Sequence, residues 1–141
     1  MTIFVLDTSA LLAYIEDEEG ADQIEGLLQK ANDGKTALYI STTSCIELFY
    51  ISLQEQGEKA ADERMQLVDN LMIIQEPVDS QLTRITGVIK ANHTLSFADA
   101  CIAGLAKFKN AKLVHKDPEF EQIEDEIEQL KLPYKPKRKK K

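Results

Sequence analysis

Short apolar runs alternate with helical patterns along the whole chain, and this alternation restricts the fold more than any other feature. TIFVL (2–6) is β-rich and passes at once into helix signals. ALYI (37–40), LMIIQ (71–75) and KLVH (112–115) repeat the theme, and IEQLKL (127–132) reads as a fifth strand. Between the first two, Leu11, Leu12, Tyr14 and Ile15 continue as helix up to the break at Gly20. Ile24, Leu27 and Leu28 then recur at helical spacing until Asn32-Asp33-Gly34 stops them. The N-cap cluster STTS (41–44) leads into CIELFYISLQEQ as far as Gly57, and an amphipathic helix spans 58–70. Leu82, Ile85, Val88 and Ile89 share one face of a helix over 79–91, and Ser96 opens another, FADACIAGLAKF. Strands alternating with helices predict an α/β domain with a mainly parallel sheet. There is no internal repeat.

At 141 residues the chain fits one domain and can bury roughly 68–70% of its unfolded surface without staples. No apolar run approaches the ~20 residues that span a bilayer. The start lacks a basic segment followed by a long apolar one, so no signal peptide is expected. Cys45 and Cys101 fit neither a CxxC nor a zinc spacing and read as reduced core thiols, which predicts a cytoplasmic protein. The net charge of −7 is uneven: KPKRKKK (135–141) carries six positive charges, leaving 11 basic and 24 acidic side chains in residues 1–134. A domain boundary is therefore drawn at 134, followed by a basic tail expected to be disordered. The tail is either a phosphate-binding arm that offsets an acidic body or a solubility tail without a specific partner.

In parallel sheets ligands sit beyond the carboxyl ends of the strands. Asp7 follows the first strand directly, Glu47 lies about a turn into the helix after the second, Asp99 begins the helix after Ser96, and Asp117 follows the fourth strand. Each has a purely structural reading. Asp7 is a good N-cap, Ser44…Glu47 and Ser96…Asp99 have capping-box spacing, and Asp117-Pro118 suits a turn or helix start. Caps need only be polar, however, and serine already stands at two of these starts. Two carboxylates about 4 Å apart repel by roughly 4 kcal/mol at an effective dielectric near 20, so a cluster either protonates or binds a cation. Oxygen donors without sulfur or imidazole suit Mg²⁺ or Mn²⁺, and such a centre can activate water against a phosphodiester.

DTSALLAYI with Asp7, STTSCIELFY with Glu47, SFADACIAGLA with Asp99 and LVHKDPEF with Asp117 resemble the PIN-domain nucleases. The likeness is greatest to the VapC-type toxins of toxin–antitoxin pairs, and it spans about residues 2–132. It implies a three-layer α/β/α sandwich with a central, mainly parallel sheet. It also implies an acidic cluster that binds Mg²⁺ or Mn²⁺ and hydrolyses RNA. Carried over, Asp7 and Asp99 are the principal metal ligands, Glu47 completes the cluster directly or through water, and Asp117 is the fourth acid. Ser9 supplies a small hydroxyl near the metal. A homodimer and an antitoxin protein that blocks the site are implied as well. The family commonly has Thr or Ser two residues before the fourth acid, where this chain has His115; that histidine is either structural or an RNA contact. Two scattered histidines, His93 and His115, give little support to metal-free ribonuclease chemistry. Two rivals remain. One is a PIN fold that mainly binds RNA or a partner protein. The other is an Asp7 phosphoacceptor, which would want a second Asp where Ser9 stands.

Overall fold

The computed structural model describes residues 1–135. Its elements are β1 (Thr2–Leu6), α1 (Thr8–Ile15), α2 (Ala21–Asn32), β2 (Thr36–Ser41), α3 (Thr42–Gln56), α4 (Glu58–Asn70) and β3 (Ile74–Glu76). They continue with α5 (Ser80–Asn92), α6 (Phe97–Lys109), β4 (Lys112–His115), a 3-10 turn (Pro118–Ile123) and β5 (Gln129–Lys131). The strands form one five-stranded sheet in the order β3-β2-β1-β4-β5, and every pairing is parallel. The α/β/α sandwich expected from the sequence is therefore present, with a sheet that is wholly parallel.

Alternation along each strand divides the core in two. Phe4 and Leu6 of β1, with Leu38 and Ile40 of β2, face α1 to α4 and meet Leu11, Ile24, Leu28, Leu48 and Val68. Val5 and Leu113 point the other way, onto Leu82 and Ile89 of α5 and Ile102 and Leu105 of α6. Cys45 and Cys101 are buried free thiols, as expected. No helix among the described residues is long and apolar enough to cross a membrane.

The differences from the sequence reading are local. LMIIQ is a strand only from Ile74; the three residues before it turn, with the Ile73 amide donating to the Leu71 carbonyl at 2.8 Å. The fifth strand shortens to Gln129–Lys131, and the acidic stretch before it is a 3-10 turn and bends. The first helix ends at Ile15, not at Gly20, which instead serves as N-cap of α2. Gly20 adopts φ +101°, where a side chain is strained, and a Cβ there would also press on Leu132 at 3.2 Å. The basic tail lies outside the described residues apart from Lys135, whose Nζ is 3.0 Å from Glu18 Oε2.

The chain leaves β1 toward β2 and β3, then crosses through α5 and α6 to place β4 on the other side of β1. The junction of β1 and β4 is thus the point where the winding reverses. In an open parallel sheet, that is where a crevice opens at the carboxyl edge.

Candidate active site

Asp7 and Asp117 flank this junction. Leu6 pairs with Val114, and the Asp7 amide donates to the Val114 carbonyl at 3.0 Å, so β1 delivers its terminal carboxylate beside the end of β4. Asp7 is only 3% exposed. It does cap α1, accepting from the Ala10 amide at 2.7 Å, and its two oxygens lie 2.8 and 2.7 Å from Ser9 Oγ. Ser9 Oγ in turn accepts from the Lys116 amide at 3.1 Å, so one hydroxyl ties the end of β1 to the segment that carries Asp117.

Capping does not account for the energetics. Burial raises the Asp7 pKa to about 7 despite the Ala10 and Ser9 hydrogen bonds, and the charges of Asp99 and Asp117 push it further up. Asp99, in the first turn of α6, is raised to about 6 by burial, then by Asp117, Glu47 and Glu119. Lys116, the one base close in sequence, directs its ammonium to the Glu19 carbonyl at 2.7 Å.

Asp117 caps the 3-10 turn, its Oδ1 accepting from the Glu119 amide at 2.9 Å with Pro118 in the first position. One oxygen from each of Asp99, Asp117 and Glu119 falls within 4.8 Å of the others. Glu119 is not among the candidate acids read from the sequence. Its signal was its place two residues after Asp117, on the same short turn.

Glu47 belongs to the neighbourhood through Thr8. The Thr8 hydroxyl donates to Glu47 Oε1 at 2.6 Å and lies 3.1 Å from Ser44 Oγ. The Ser44…Glu47 capping box is not formed, because α3 begins three residues earlier with Ser41 as its cap, accepting from the Thr43 amide at 3.1 Å. Ser44 is buried in the first turn instead. Ser96 does cap α6 through the Asp99 amide at 3.1 Å. Thr8 was not singled out in the sequence; nothing local links it to a residue 39 positions away.

His115 is fully buried, which favours its structural reading over an RNA contact. Burial lowers its pKa, with Gln129 partly opposing. His93 pairs with Glu126 at 3.0 Å, away from the acids. A cleft of about 540 Å³ opens near Met1, Lys109 and Glu126, at the opposite, amino-terminal edge of the sheet.

Asp99, Asp117 and Glu119 thus meet on one sheet edge; Asp7 and Glu47 are not among these three but act on them through charge, and Asp7 and Asp99 carry raised pKa values. An all-carboxylate donor set of this kind fits a hard divalent cation.

The model of the PIN domain family matches residues 4–126. Among solved structures, the chain is similar to VapBC2 from Rickettsia felis bound to a promoter DNA fragment, with TM-score 0.76, 17% identity, and 93% of this chain and 99% of that chain covered. It is also similar to DNA-bound VapBC from Salmonella typhimurium, with TM-score 0.71, 22% identity and coverage of 93% and 98%. A third is Mycobacterium tuberculosis VapC20, a sarcin-ricin-loop-cleaving toxin, with TM-score 0.67, 18% identity and coverage of 86% and 94%. No curated protein sequence matches this one. At these identities the structural likeness speaks to the fold.

Proposed function

Since the chain belongs to the PIN-domain family, we propose that it is an endoribonuclease that hydrolyses RNA phosphodiester bonds with Mg²⁺ or Mn²⁺, as the toxin of a toxin–antitoxin pair. The observation that carries this reading is the meeting of Asp99 and Asp117 within 4.8 Å, with Asp7 close enough for both their charges to raise its pKa. Ionised together they repel; a bound cation relieves that cost. The sarcin-ricin-loop activity named for VapC20 supports RNA as the substrate.

Asp7 and Asp99 would hold the cation, with Glu47 and Asp117 completing the set. Such a cation supplies a lowered water pKa and neutralises charge on the phosphate. The protein's part is placement. Ser9 orients the Asp7 carboxylate through both its oxygens. Thr8 fixes Glu47. Ser96 sets the first turn of α6, so that Asp99 projects from a helix N-terminus, which favours its ionised form.

Protein partners form part of the same reading: an antitoxin that blocks the acidic edge, and a second copy of the chain. The VapBC complexes among the structural neighbours support the antitoxin. So does an exposed apolar stripe on α3, in which Ile46, Tyr50 and Leu53 recur at helical spacing beside Glu47.

Incubating total RNA with the antitoxin-free protein and Mn²⁺ or Mg²⁺ tests the nuclease. Discrete cuts bearing 5′-phosphates are expected, lost with EDTA and in Asp99→Asn. Absence of cutting by folded protein, or equal cutting by Asp99→Asn, overturns it in favour of a binding module.

A further inference from the structure

Asp117 sits on a turn just past the last residue of β4, and such a position does not by itself hold a carboxylate in place. A chain of hydrogen bonds does so here. His115 Nδ1 lies 3.1 Å from the Asp117 amide nitrogen, which has the only proton available, so Nδ1 is the acceptor. The ring proton is therefore on Nε2, which donates to Gln129 Oε1 at 2.7 Å. The Gln129 amide group is itself oriented, since its Nε2 donates to the Phe120 carbonyl at 2.6 Å. The ring is also held from its faces. Phe120 lies against it at a 5.0 Å centroid distance and 54° tilt, and Tyr134 stacks at 6.0 Å and 26°. The chain thus runs from β5 through a buried imidazole to the backbone of Asp117, and returns to the 3-10 turn that carries Glu119.

We propose that His115 and Gln129 are positioning residues for the Asp117 half of the acidic site, fixing the turn so that its carboxylate meets Asp99. This rests on the cation-dependent reading given above. The geometry makes a specific chemical demand: an acceptor on residue 115 for the amide two residues on. Asparagine meets that demand with its side-chain carbonyl, whereas leucine fills similar space without an acceptor.

The test compares His115→Asn, His115→Leu and Gln129→Leu in the full chain, each checked for folding by circular dichroism. Mn²⁺ affinity is read by electron paramagnetic resonance. His115→Leu and Gln129→Leu are expected to weaken Mn²⁺ binding by about tenfold or more, the usual effect of removing a group that orients a ligand. His115→Asn should restore most of the affinity lost in His115→Leu. Equal Mn²⁺ affinity in wild type and His115→Leu overturns the positioning role while leaving the cation reading intact. If the wild type binds no Mn²⁺, the cation reading fails. In that case ¹⁵N spectra still decide whether His115 is the Nε2–H tautomer and whether the Asp117 amide is protected from exchange; a mobile, unprotected amide overturns the clasp itself.

Discussion

At the scale of single residues, the site trades stability for chemistry. Asp7 has a folded pKa of about 7 against 3.8 for an ordinary carboxyl, so between these values the folded protein holds a proton that the unfolded chain has released. Stability of the cation-free protein therefore falls as pH rises from about 4 through about 7. Each pKa unit corresponds to about 1.4 kcal/mol, so the penalty above pH 7 amounts to a few kcal/mol. Asp7→Asn should remove it: the variant loses cleavage yet melts higher than cation-free wild type at pH 8, and the gap narrows toward pH 4. Denaturant titrations at the two pH values measure this. Thr8→Val should keep the fold and lower cation affinity about tenfold, because Glu47 loses its short hydrogen bond; calorimetric Mn²⁺ titration reads it. Asp7 was legible in the sequence because a buried strand ending on a carboxylate is unusual. Thr8 and Glu119 were not, since their roles depend on side chains that only the fold brings near.

At the scale of elements, the pattern of apolar residues located every helix and strand, because each element buries one face and its period is written in the sequence. Boundaries were less legible. The four serines and threonines of STTS (41–44) offer equivalent caps, and only the end of β2 selects Ser41. The α5–α6 crossing was also invisible. There Gly104 lies against Thr86, so that an added Cβ would overlap Thr86 Oγ1 and come within 3.3 Å of its Cα. Gly104→Ala should destabilise by about 1–3 kcal/mol, as overpacking does. Thr86 Oγ1 has no hydrogen-bond partner among the described residues, so Thr86→Ala costs little on that account and should recover part of the loss when combined with Gly104→Ala. A double-mutant cycle in urea gives the coupling, and strict additivity would contradict the crossing geometry.

At the scale of the whole molecule, charge and topology act together. Cutting the chain after Lys135 leaves 12 basic and 24 acidic side chains, which makes the body more repulsive to a polyanion. In an inactive Asp99→Asn background, the truncated protein should bind RNA several-fold more weakly at about 0.1 M salt, with a shallower salt dependence. Filter binding over a salt series measures both, and unchanged slopes would assign the tail to solubility alone. The sheet order itself was not written in the sequence. Strand periodicity says which residues are buried, not which strand lies beside which; the pairing of β1 with β4 follows from the α5–α6 crossover, a property of the assembled chain.

That pairing has a consequence for how the protein is made. Val5 waits for Leu113, and Asp7 for Asp117, while the turn bearing Asp117 is tied down from Gln129. A polypeptide still emerging from the ribosome carries scattered carboxylates and no assembled centre. At about 5–20 residues per second, several seconds separate the first strand from its late neighbour. For a ribonuclease of the kind proposed, the order of strands serves as a timer: the cutting edge cannot exist until the ribosome has made the chain past Gln129.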